Sequence, residues 1–150
     1  MKLSEALIIR SDLQKRVEQI KARLLANAKV QEGDKTVENP IEILAELEQT
    51  LKELKNIITR INLTNSIIKD GSKTMTELLA ERDVLSIKIK TEQEFLMAAR
   101  NKIDRYSNKE IKIFSSVDVK EEQTKLDKLS KELRELDVKI QSLNWQSDLI

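Results

Sequence analysis

The chain has 150 residues, with 27 basic against 26 acidic side chains and a formal net charge of +1, so it lacks the basic excess that drives phosphate binding and nucleic acid is not an expected partner. It contains neither Cys nor His, which removes disulfides, thiolate nucleophiles, the commonest general base and the commonest metal ligands together. Charged residues make up 35% and aromatics 3%, with two glycines and one proline, a profile of long helices rather than of a sandwich or barrel.

The first predicted helix runs over about 4–30. Its apolar stripe is Ala6, Ile9, Leu13, Val17, Ile20, Leu24 and Ala28, in steps of three and four. The apolar run Ala6–Ile9 is bounded by Glu5 and Arg10, short of the about 7–15 residues of an export signal. No stretch approaches the roughly 18 apolar residues of a membrane span. The cytoplasm is therefore the expected location, with no stable membrane insertion. Gly33-Asp34 ends the first helix, and Asn39-Pro40 opens the next: Asn as N-cap, Pro at the first helical position, where its missing N–H is not needed.

The second predicted helix covers about 40–69. Leu44, Leu47, Leu51, Leu54, Ile58, Ile61, Asn65 and Ile68 alternate steps of three and four, the spacing of a coiled-coil seam. Asp70-Gly71 ends it, and Thr74-Met75-Thr76-Glu77 reads as a capping box. The third helix, about 75–106, has the seam Met75, Leu78, Arg82, Leu85, Ile89, Glu92, Leu96, Ala99, Ile103 and Tyr106. Glu110-Ile111-Lys112-Ile113 then alternates polar and apolar, as a short extended segment over 110–114 would. Ser116 or Asp118 caps the fourth helix, about 118–145, with Leu126, Leu129, Leu133, Leu136, Ile140 and Leu143 on its seam.

The expected fold is thus all-α: one domain over 1–150 of four long antiparallel helices, as an up-down-up-down bundle or as coiled-coil hairpins that complete their cores by dimerising. The tight link at 70–73 turns the third helix back on the second. Setting Ile68 opposite Met75 then brings Asn65 to Leu78, Ile61 to Arg82, Leu54 to Ile89 and Leu51 to Glu92.

Asn65, Arg82 and Glu92 interrupt these seams. Each either lies at the edge of the core and fixes register, or joins a buried polar network that must be fully hydrogen-bonded. The register places Arg60, Asn62, Asn65, Arg82 and Asp83 at one height, with Asp83 approaching Arg60, and these five are the candidate polar cluster. Bundle cores can hold metal pairs on Glu-x-x-His motifs. This chain has no His, and Glu132-Leu133-Arg134-Glu135 reads as a solvated face. No catalytic, metal or cofactor site is expected. Trp145, the single tryptophan, reads as a plug at the bundle end. Ile111, Ile113 and Phe114, on a segment with unpaired backbone groups, are the interface candidates.

A resemblance rests on several runs that span almost the whole chain. They are Lys2-Leu3-Ser4-Glu5-Ala6-Leu7, Asp12-Leu13-Gln14, Arg60-Ile61-Asn62-Leu63-Thr64-Asn65 and Ala80-Glu81-Arg82-Asp83-Val84-Leu85. Further on come Asp104-Arg105-Tyr106-Ser107, Glu110-Ile111-Lys112, Val117-Asp118-Val119, Lys131-Glu132-Leu133-Arg134-Glu135-Leu136-Asp137 and Leu143-Asn144-Trp145. In these the chain resembles the short bacterial proteins known as septicolysin-like. The resemblance implies an all-helical fold and brings no established activity or catalytic residue. Its name suggests a cytolysin, but one Trp and no membrane-length run give such a role no residues to work with. The reading that follows is a cytoplasmic helical scaffold or interaction module, self-associating and without catalysis. The alternatives are a membrane-active helical protein and a small-ligand site around Asn65 and Arg82.

Overall fold

The computed structural model describes residues 1–100 and 112–150. Helix α1 spans Leu3–Ala26. The Glu5 carboxylate accepts from the Lys2 N–H at 2.7 Å, satisfying a donor at the helix start. The expected stripe holds at Ala6 and Ile20, which are buried, and at Leu13, Val17 and Leu24, which are half-buried. The helix stops four residues earlier than predicted, and Asn27 is the cause. Its side-chain amide donates to the Arg23 carbonyl at 2.9 Å, and its Oδ1 accepts the Glu38 N–H at 3.0 Å. One buried side chain therefore closes the helix and ties down the following loop.

Helix α2 spans Pro40–Ile67. It opens as predicted: Asn39 Oδ1 accepts from the Ile41 N–H at 3.0 Å, with Pro40 at the first helical position. Of the predicted seam, Ile61 is buried and Leu47, Leu54, Ile58, Asn65 and Ile68 are half-buried, but the most deeply buried face is rotated from it. The buried residues are Ile43, Thr50, Ile57, Ile61 and Thr64, while Leu44 and Leu51 remain 48% and 41% exposed. α2 packs against α1 and carries two neighbouring stripes, of which the more deeply buried contains two threonines. These can be buried because each hydroxyl donates to the carbonyl four residues back, Thr50 to Glu46 and Thr64 to Arg60, both at 2.8 Å. A pattern that scores Thr as polar misses that stripe.

The chain turns after α2 through a two-stranded antiparallel ribbon, β1 (Lys69–Asp70) and β2 (Lys73–Thr74), with Lys69 opposite Thr74 and Asp70 opposite Lys73. Gly71, at φ +61°, takes the first corner of this two-residue turn, where a positive φ suits glycine. Ile68 bridges the corner: its carbonyl accepts the Met75 N–H at 2.9 Å. The regular extended structure thus lies here. At the predicted place, Ile111 falls outside the described residues, and the segment from Lys112 to Phe114 is exposed and neither helix nor strand.

Helix α3 spans Met75–Arg100 and α4 spans Val119–Gln146. The predicted continuation of α3 to 106 lies outside the described residues. Asp118 caps α4 by accepting the Glu121 N–H at 3.1 Å. Among the described residues both seams follow expectation, Ile103 and Tyr106 of the α3 seam lying outside them. On α3, Met75, Leu78, Ile89 and Leu96 are buried; on α4, Leu126 and Ile140 are buried and Leu129, Leu133, Leu136 and Leu143 half-buried. Trp145 is no plug, since it stands 62% exposed, and the neighbouring Asn144 is buried instead.

The chain divides into two compact units, residues 1–76 with 142–150, and residues 77–141. In the first, the two chain ends form a clasp. The Leu3 N–H donates to the Ser147 carbonyl and the Leu149 N–H to the Met1 carbonyl, both at 2.9 Å, and Lys2 Nζ meets Asp148 at 2.8 Å. In the second, Ile89, Leu96 and Leu126 form a core against which Leu85, Leu129 and Leu133 pack. Ile89, a seam residue of α3, thus has its layer within this unit.

Candidate interaction surfaces

The five polar-cluster candidates divide between the two units. In the first, Arg60 is half-buried and its Nε donates to the Ile150 carbonyl oxygen at 2.7 Å. One turn on, Thr64 Oγ1 accepts the Ile150 N–H at 3.1 Å. Arg60 thus anchors the chain end, an architectural task. Asn62 is exposed and Asn65 half-buried. In the second unit, Arg82 turns to its own neighbour: Nε and Nη2 donate to Asp83 Oδ1 at 3.0 and 2.8 Å. Asp83 therefore answers Arg82, where the sequence register had it approach Arg60. Among the interface candidates, Ile113 is exposed, Phe114 is 79% exposed, and Ile111 lies outside the described residues.

Sequence reasoning missed an ion-pair network where α1 meets the start of α2. Arg23 donates to Glu38 at 2.7 Å and to Glu46 at 2.9 Å, and Arg16 reaches Glu46 at 3.3 Å. Arg16 and Arg23 stand two helical turns apart on one face of α1, which was the available signal. The Arg23 hydrogen bonds hold both carboxyls below the usual glutamate range, and Arg16 adds to the effect on Glu46. The same bonds push the Arg23 guanidinium up. The network borders a cleft of about 360 Å³ with Asn39, Glu42 and Ile43 in its wall. Carboxylates held ionised by a guanidinium are poor proton acceptors at neutral pH. The arrangement fastens the first hairpin and offers no acid–base pair.

Two apolar grooves are of a different kind. One, of about 320 Å³, runs between α1 and α2 and is lined by Ile9, Leu13 and Ile57 with polar neighbours. The larger, about 620 Å³, lies between α3 and α4; Ala80, Val84, Leu85 and Leu136 form its apolar lining, beside Glu81, Lys88 and Glu132. Elsewhere on α3, Ile87 is 65% exposed, as is Val84 of this lining, and Phe95 and Met97 are exposed further along the helix. Large apolar side chains clustered at a surface are characteristic of interaction sites. Among the described residues, no three acidic side chains converge to hold a metal ion. Nor is any helix among them long and apolar enough to cross a membrane.

Fold and surface together define an all-helical protein whose hairpins present apolar faces to solvent. The chain belongs to a family of unknown function, DUF6847, whose pattern matches residues 10–149. Over 100% of its length it is similar, at 41% identity and a TM-score of 0.92, to 99% of a functionally unknown conserved protein from Corynebacterium diphtheriae seen in a crystal structure. No curated protein matches the chain.

Proposed function

We propose that the protein is a helical scaffold that self-associates, a binding module with no chemistry of its own. The observation that carries this reading is the outer face of α3, where Val84 and Ile87 are both 65% exposed. Burying an aliphatic side chain is worth about 1.5–3 kcal/mol, so a helix face left uncovered in this way favours association. Exposed Phe114, beyond α3, adds to the same surface chemistry. Light scattering behind a sizing column tests the reading. The expected mass is a multiple of 17.3 kDa that declines on dilution; a single-chain mass at every concentration would refute it.

A further inference from the structure

We infer that the outer face of α3 is a two-fold, antiparallel helix seam for a second copy of this chain. The inference rests on the self-association reading and specifies its partner and geometry. Ala80, Val84, Ile87 and Thr91 repeat at steps of four, three and four, and all four are exposed. At roughly 100° per residue they lie nearly opposite the stripe of Leu78, Leu85, Ile89 and Leu96 that α3 buries or half-buries. Thr91 suits an apolar seam, because its hydroxyl already donates to the Ile87 carbonyl at 2.8 Å and leaves its methyl free to pack.

A homodimer about a two-fold axis must be complementary to itself. Centring the axis between Leu85 and Ser86 brings Val84 to Ile87 of the partner subunit, and Ala80 to Thr91 of the partner subunit. Every seam position then meets a seam position. The flanking charges close in the same register. On one side Glu81 faces Lys88 of the partner subunit, and by symmetry the reverse. On the other side Asp83 faces Lys90 of the partner subunit, again with its mirror. Glu81, Asp83, Lys88 and Lys90 are all exposed, and opposite charges at such flanking positions set partner choice and orientation in paired helices. A parallel pairing satisfies fewer: Asp83 meets Lys88 of the partner subunit, while Glu81 meets Thr76 of the partner subunit and Lys90 meets Phe95 of the partner subunit.

Charge reversal on the full chain tests this, read by solution mass with circular dichroism to confirm the helix content. Lys88→Glu should convert the oligomer to single chains, and adding Glu81→Lys should restore it. If Asp83→Lys rescues Lys88→Glu and Glu81→Lys does not, the helices run parallel and the antiparallel seam is wrong. If Val84→Asp with Ile87→Asp leaves the wild-type mass unchanged, the seam is wrong while self-association stands. A wild-type chain that is single at all concentrations overturns both readings.

Discussion

Thr64 offers a sharp test of how the chain ends are held. It is fully buried, its hydroxyl donates to the Arg60 carbonyl at 2.8 Å, and it accepts the Ile150 N–H at 3.1 Å. Thr64→Val keeps the shape and removes only the hydroxyl. The Arg60 carbonyl loses a second partner of little consequence, since it sits within α2. The Ile150 N–H loses the acceptor it has in the fold, and water near the exposed Ile150 replaces part of it. The expected loss is therefore about 1 kcal/mol, the lower end for an unmade hydrogen bond, or roughly 2–4 °C in Tm for a chain of this size. Thr64→Ala also opens a methyl-sized void and should lose about 2 kcal/mol in total. The assay is denaturant unfolding followed by far-UV circular dichroism, which reads the loss of the four helices. Removing Ile150 deletes the N–H in question. In that background Thr64→Val should become nearly neutral, a coupling of about 1 kcal/mol. An equal loss in both backgrounds would refute the bridging role of Thr64.

Other consequences follow from the caps, the core and the charges. Asn39→Ala removes the α2 N-cap and should lower stability by about 1 kcal/mol, measured by denaturant unfolding. Ile140→Ala, at a position 1% exposed on α4, should cost about 2–5 kcal/mol in the same measurement. Glu38, Glu46 and Asp148 have folded pKa values lowered from their ordinary 4.5, 4.5 and 3.8. A depressed carboxyl contributes stability that is present above its unfolded pKa and is lost as pH falls through the folded value. Tm should therefore hold from neutral pH to about 5 and decline below about 4.5. Arg23→Gln should flatten that decline, and an unchanged acid limb in a pH-dependent thermal scan would contradict the Arg23 network. The exposed Trp145 should emit as a solvated indole and be readily quenched by iodide; shielded, blue-shifted emission would contradict its placement.

Much of this molecule is legible in the residues alone. Heptad-spaced Leu and Ile, one Pro and the capping residues specify four helices, because helix periodicity and end chemistry are local properties. Asn39-Pro40 and Asp118 start α2 and α4 where their side-chain chemistry predicts, and the α3 and α4 seams point inward as their spacing requires. Local rules do not choose between competing faces. α2 carries a leucine stripe and a threonine-containing stripe, and the fold buries the second more deeply, since its hydroxyls find backbone acceptors on their own helix. Asn27 ends α1 early because it reaches Arg23 and Glu38 at once, a choice made by a loop contact eleven residues away. Arg82 and Asp83 pair side by side, while Arg60 is claimed by the far end of the chain, 90 positions distant. Helix existence was therefore set by the sequence at short range. Partner, face and the fate of each polar side chain were settled only when tertiary contacts brought distant donors and acceptors together.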